Sequence, residues 1–197
     1  MNQKIYTPVL AVAFLICLSF ISLNVFSQFE QKLTINGGLT YTYPDMFEDY
    51  SIYGNGYGFD GGLQFNYSRT FSFYGAVRFY YMFGGDAYED AYYDNLALGG
   101  GIKLNMLPTK RVNPYLFGEA NINFIWLEEW IYDDEGYYDS DFGTAIGGLG
   151  GLGLDFRIND NLAVFGQTGM YYTFWDNRIN LYSQVGLRIN MIKSKTI

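Results

Sequence analysis

The chain has 197 residues, enough for one ordinary domain, and carries 20 acidic against 12 basic side chains with no histidine. That acidity disfavours nucleic acid as a partner. The 20 Tyr and 17 Phe exclude an acidic disordered chain, and the missing histidine removes the commonest general base and every Ser–His or metal–His site.

Residues 1–27 hold no acid and one base, Lys4, ahead of an apolar run from Ile5 to Phe26. This is the pattern of a signal peptide, with cleavage expected near Ser27 and Gln28. A run of about 20 apolar residues would also suffice for a retained anchor, but polar residues begin where the run stops, and cleavage is the reading adopted. Cys17 follows Ile16 rather than a small residue, so it reads as part of the leader and not as a lipid-attachment site. The expected plan is a signal peptide over 1–27 and one domain over 28–197. The mature chain then has no thiol for a disulfide or a Cys-based metal site.

After the leader no long apolar run recurs. Alternation recurs instead: in KLTINGGLTYTY, residues 32–43, Leu33, Ile35, Leu39, Tyr41 and Tyr43 share one face, and Lys32, Thr34, Asn36, Thr40 and Thr42 the other. The same pattern predicts strands over 57–68, 71–83, 95–107, 115–127, 144–157, 162–174 and 179–192. Their eight charged residues, Lys32, Asp60, Arg78, Lys103, Glu119, Asp155, Arg157 and Arg188, all fall on the polar face. At about 12 to 14 residues each, these strands exceed the 5 or 6 usual in soluble sheets and suffice to cross a bilayer at a tilt.

Short connections at 68–71, 108–114 and 159–161 separate longer ones at 44–56, 84–94 and 128–143, and a fourth connection lies near 175–178. Fifteen of the 20 acids fall in this second set: Asp45, Glu48, Asp49, Asp86, Glu89, Asp90, Asp94, Glu128, Glu129, Asp133, Asp134, Glu135, Asp139, Asp141 and Asp176. The short turns carry Arg69, Lys110 and Arg111, and Lys193 and Lys195 follow the last strand. Small outer-membrane barrels have short periplasmic turns and long external loops, so an acidic, tyrosine-rich rim is expected outside and a basic turn side within.

With its leader, loop alternation and two-faced strands, the chain resembles the small outer-membrane β-barrel families, including the transmembrane part of OmpA and the OmpX-like barrels. The resemblance implies an all-β, eight-stranded antiparallel up-and-down transmembrane barrel. A soluble barrel would turn its apolar faces inward. Uncharged outer faces on every strand and aromatics near strand ends, such as Tyr41, Tyr43, Tyr57, Phe83, Trp126, Tyr172 and Phe174, favour the membrane form.

Opposite charges on the inner faces predict a polar network in which Arg78, Lys103 and Arg188 meet Asp60, Glu119 and Asp155, because unpaired charges in a narrow lumen are costly. A turn centred near Lys110 and Arg111 places Lys103 opposite Glu119. Eight strands leave an interior just wide enough for side chains, so an open pore is not expected. In the third long loop, Asp133, Asp134, Glu135, Asp139 and Asp141 with Trp130, Tyr137 and Tyr138 suit contact with a protein or glycan. Calcium binding by these acids is the lesser reading, because the glycine is misplaced for an EF-hand loop. Gly148, Gly150 and Gly153 spell G-x-G-x-x-G, but the pattern continues into a strand where a nucleotide site needs a helix; barrel glycines are expected to relieve crowding.

The resulting expectation is a non-enzymatic, exported outer-membrane barrel in contact with lipid, with no cofactor and no metal, a monomer in preference to an oligomer, in an envelope-structural or surface-interaction role. The alternative is a transport or secretion component, a narrow conduit for a small apolar ligand or one barrel of a larger machine.

Overall fold

The computed structural model describes residues 32–43, 53–84, 91–131, 137–174 and 178–191. The expected signal peptide, 1–27, lies outside them. Eight strands follow in chain order: β1 (Lys32–Tyr43), β2 (Tyr53–Asn66), β3 (Phe71–Gly84), β4 (Ala91–Asn105), β5 (Val112–Ile131), β6 (Tyr137–Arg157), β7 (Leu162–Thr173) and β8 (Arg178–Asn190). Each pairs antiparallel with its chain neighbours, and β1 pairs with β8 to close the barrel.

The register fixes the tilt. From Thr40, the pairing leads through Gly58, Tyr80 and Asn95 to Ile125 of β5. In the other direction it leads through Gln184, Gln167 and Gly153 to Tyr115 of the same strand, ten residues away. Eight strands with that stagger tilt by roughly 40°, so each residue climbs about 2.5 Å along the barrel axis. About ten residues then cross a 25 Å apolar band. Most strands run a little past that length; β5 and β6, at 20 and 21 residues, reach about twice as far.

Side chains alternate across the wall. Leu39 is 70% exposed, Phe59 61% and Ile146 65%, and similar apolar residues cover the outside of every strand. The buried side is polar: Thr34, Asp60, Ser72, Arg78, Asn95, Lys103, Glu119, Asn123, Gln184 and Arg188 are all enclosed. This inverts a water-soluble protein, and a hydrocarbon surround is what makes such an outside favourable. Ring pairs mark both ends of the apolar surface. Tyr41 with Tyr57, Trp126 with Phe142 and Tyr172 with Phe174 lie toward the long connections, and Tyr67, Phe71 and Phe73 pack together at the short-turn end.

Two expectations about extent need correction. The loop expected over 128–143 is largely a hairpin, with β5 running to Ile131 and β6 starting at Tyr137, so Glu128 and Glu129 lie in β5, and Asp139 and Asp141 in β6. Asp94 likewise sits in β4, which begins at Ala91. Alternation fails as a guide there because a ribbon that has left the apolar layer has water on both faces. It then needs no greasy side.

A charge placed on the outer wall at mid-height tests the surround. For the Val77→Arg variant, refolded in phospholipid vesicles and titrated with urea, the expected loss is about 2–4 kcal/mol of stability. An unchanged midpoint would mean that this surface does not face hydrocarbon.

Candidate functional site: lumen network and outer hairpin

Inward phase and strand register place the six lumen charges in two clusters. In the upper one, Arg78 of β3 faces Glu119 of β5 with both guanidinium nitrogens: Nη1 donates to Oε1, and Nη2 to Oε2 at 2.6 Å. Asp60, directly opposite Arg78 in the β2–β3 ladder, sits 3.5 Å from its Nε. Gln184 donates to the other Asp60 oxygen. In the lower cluster Asp155 of β6 holds two cations, Lys103 at 2.6 Å and Arg188 through its Nη1.

The expected Lys103–Glu119 contact does not form. Lys103 lies opposite Phe117, and Glu119 opposite Gly101, a register two residues from the expected one. The reason is the turn: Met106 N–H donates to Pro114 O at 2.9 Å and Lys110 N–H to Leu107 O at 3.0 Å, closing a loop centred at Lys110 itself. Lys103 therefore reaches past β5 to Asp155, and Glu119 past β4 to Arg78.

That second reach depends on Gly99. This glycine of β4 faces inward between Arg78 and Glu119, and a Cβ there would collide with Glu119 Oε1. Gly153 does the same for Tyr115, whose ring occupies the space a Cβ would take. The interior is thus assembled by placing small residues beneath large ones, as the taper of a small barrel requires.

The two clusters belong to one chain of hydrogen bonds and ion pairs that runs the length of the lumen. Asn95 donates to Tyr171 at 2.9 Å and to Asn123 at 3.2 Å. Asn123 donates to Asn121 at 2.8 Å, and Asn121 to Glu119 at 3.4 Å. Below Asp60, Gln184 accepts from Gln167 at 2.6 Å and from Tyr182 at 2.5 Å. Gln167 accepts from Tyr115 at 2.9 Å, and Tyr115 in turn accepts from Arg188 at 3.0 Å. Cations also lie on rings, Lys103 3.9 Å from the Tyr115 centroid and Arg188 4.1 Å from that of Phe165. Tyr115, Gln167, Tyr171, Tyr182 and Gln184 were not singled out from sequence. Their signal was present: Tyr115, Tyr171, Tyr182 and Gln184 share the strand phase of a charged or amide residue, and Gln167 is itself an amide.

The second group of candidate residues lies at the outer hairpin. Trp130, Tyr137, Tyr138 and Asp139 occupy strand positions, Glu129 pairing with Asp139, Trp130 with Tyr138 and Ile131 with Tyr137. Asp141 is exposed on β6. Asp133, Asp134 and Glu135 lie outside the described residues. Among the described residues, no group of three potential His, Cys, Asp or Glu ligands gathers to hold a metal ion.

No protein-family model matches the chain, and no characterised protein matches it by sequence. Solved structures do match in shape. A major outer membrane protein from Thermus thermophilus superposes with a TM-score of 0.62 at 12% identity, covering 83% of this chain and all of the other. Ail, the attachment invasion locus protein of Yersinia pestis, gives 0.58 at 15% identity over 83% of this chain and 100% of its own. Neisserial surface protein A gives 0.56 at 12% identity over 81% and 97%. The fold is that of the small outer-membrane β-barrels.

Glu119→Gln removes the charge that faces Arg78 in a closed interior. Breaking a buried pair on one side is expected to cost about 3–5 kcal/mol in urea unfolding. Gly99→Val acts on the same contact from the side. Its effect should shrink markedly when combined with Glu119→Ala; additive losses would show that Gly99 and Glu119 are independent.

Proposed function

We propose that the chain is a non-enzymatic integral outer-membrane protein, exported by removal of residues 1–27, that makes surface contacts through its acidic, tyrosine-rich outer end. The observation that carries this reading is the contrast between its two regions. The lumen is crossed by a continuous ion-pair and amide network, while β5 and β6 extend well past the apolar band.

A conduit fits less well. The six lumen charges are three cations and three anions engaged with one another, and β1 and β8 pair from Thr34–Asn190 to Tyr43–Leu181, which leaves no lateral opening between them. Among the described residues, the same engagement leaves no inner carboxylate pair free for acid–base work.

The kind of contact follows from charge. Ail has been solved in complex with the heparin analogue sucrose octasulfate. A polyanion of that kind is a poor fit to the rim of this chain, where Asp and Glu dominate. A protein or glycan surface that is neutral or basic fits better.

The test is heat-modifiable gel migration of the membrane fraction together with protease shaving of intact cells. The expected result is a fast-migrating folded band that survives detergent until boiling, and cleavage within the β5–β6 hairpin from outside. A soluble protein, or one untouched by external protease, sinks the reading. In planar bilayers the purified protein should show no sustained conductance steps; regular openings would favour the conduit.

A further inference from the structure

The short-turn end of the barrel is as one-sided in charge as the outer end, with the opposite sign. Arg69 of the β2–β3 turn, Lys110 and Arg111 of the β4–β5 turn, and Arg157 at the end of β6 are all exposed. Among the described turn residues at this end, Asp160 of the β6–β7 turn is the one acid.

Hydrogen bonds hold these cations along one arc. Asn105 N–H donates to Thr70 O at 2.7 Å, and its Nδ2 to Arg69 O at 3.3 Å, tying the first turn to the foot of β4. Arg157 N–H donates to Arg111 O at 2.8 Å, tying β6 to the second turn. Arg111 and Arg157 are cross-anchored by their side chains as well. The Arg111 guanidinium lies 4.8 Å from the centre of the Phe156 ring, which is exposed at the foot of β6. Arg157 Nη2 donates to Pro108 O at 2.8 Å, within the β4–β5 turn. Two guanidinium groups are thus held close to one turn, and among the described residues neither has a carboxylate partner. Like charges fixed as neighbours repel, and an anion set between them removes the repulsion. A guanidinium fork matches the oxygens of a phosphate.

The surroundings select the anion. Leu107, Val112 and Ile158 are exposed beside these cations, and Phe156 continues the apolar wall. A soluble anion, or a carboxylate of the cell wall, would leave those residues in water, at a cost. A phospholipid covers both parts at once. Its acyl chains lie on the wall, and its phosphodiester reaches the level at which the wall ends and the cations begin.

We propose that the short-turn end is a selective site for an anionic glycerophospholipid, its phosphodiester held by Arg111 and Arg157. Arg69 and Lys110 extend the positive field along the arc. The inference rests on the proposed orientation, in which this end meets the periplasmic leaflet.

The experiment uses the full mature chain folded in detergent micelles, with equal amounts of phosphatidylglycerol and phosphatidylethanolamine of the same acyl chains. Native mass spectrometry counts the lipids retained. Each cation near an anionic headgroup contributes about fivefold, so phosphatidylglycerol should be retained at least about tenfold in preference. The double variant Arg111→Gln, Arg157→Gln should bring that preference below about threefold. The double variant Arg111→Lys, Arg157→Lys keeps the charge and loses the fork, and should bind phosphatidylglycerol about threefold more weakly than the parent. Heat-modifiable migration shows that each variant is folded before its lipids are counted.

Equal retention of the two lipids by the parent would overturn the site, and so would an undiminished preference in the Gln variant. A Lys variant equal to the parent would overturn the guanidinium fork. Displacement by millimolar inorganic phosphate would make this a free-anion site, and displacement by a soluble muropeptide would give the patch to the cell wall; either overturns the lipid. Protease shaving separates this inference from the orientation beneath it. A β5–β6 hairpin cleaved from outside, with no lipid preference, fails the site alone. Short turns cleaved from outside, with the preference intact, overturn the leaflet and keep the site.

Discussion

Backbone N–H and C=O groups in hydrocarbon have no water to bond, and each must find a partner within the protein. For a chain whose segments alternate rather than run apolar, the remaining solution is a sheet with no edge, and β1 meeting β8 supplies it. The other features follow from that closure. Alternating side chains must divide into an outside and an inside, and the outside takes the apolar set. The polar set is then enclosed in a space too narrow to be well hydrated.

Enclosed polar groups must find one another. Three cations and three carboxylates on β2, β3, β4, β5, β6 and β8 do so across strands that are not neighbours, with amides and phenols linking the two clusters. Direct cross-strand pairing would have been simpler, but only Asp60 and Arg78 use it. The others reach over an intervening strand, where the residue beneath determines whether the reach is possible. Gly99 is such a position, and its importance comes from the absence of a side chain rather than from backbone freedom.

The sequence made the strand count, the closure and the inner or outer phase legible, because the lipid imposes a strict period of two on every residue it touches. Its reach ended where the lipid does. Glu128 to Ile131 and Tyr137 to Asp141 are strand, yet their composition reads as loop. Register was the other blind spot: a turn shifted by half a pleat repeat exchanged the partner of Lys103 from Glu119 to Asp155. Alternation is indifferent to a two-residue slip, which keeps every side chain on its own face. The glycines were legible only in part. Gly153 does relieve crowding, under Tyr115, but Gly148 and Gly150 face outward, where a Cβ would meet nothing closer than 3.4 Å and 3.7 Å.

The closing seam also sets an order of events. Thr34 donates to Asn190 across 156 residues of chain, and Gln184 reaches Asp60 across 124. Contacts so distant in sequence cannot form on a nascent or partly assembled sheet. Until β8 arrives, β1 and β7 present open edges, Asp60 lacks its amide partner, and Asp155 lacks one of its two cations. An incomplete barrel is therefore poor in both backbone and side-chain satisfaction, and the last strand completes both together. Assembly of this chain should be late and abrupt, with little to gain from any intermediate that still has an edge.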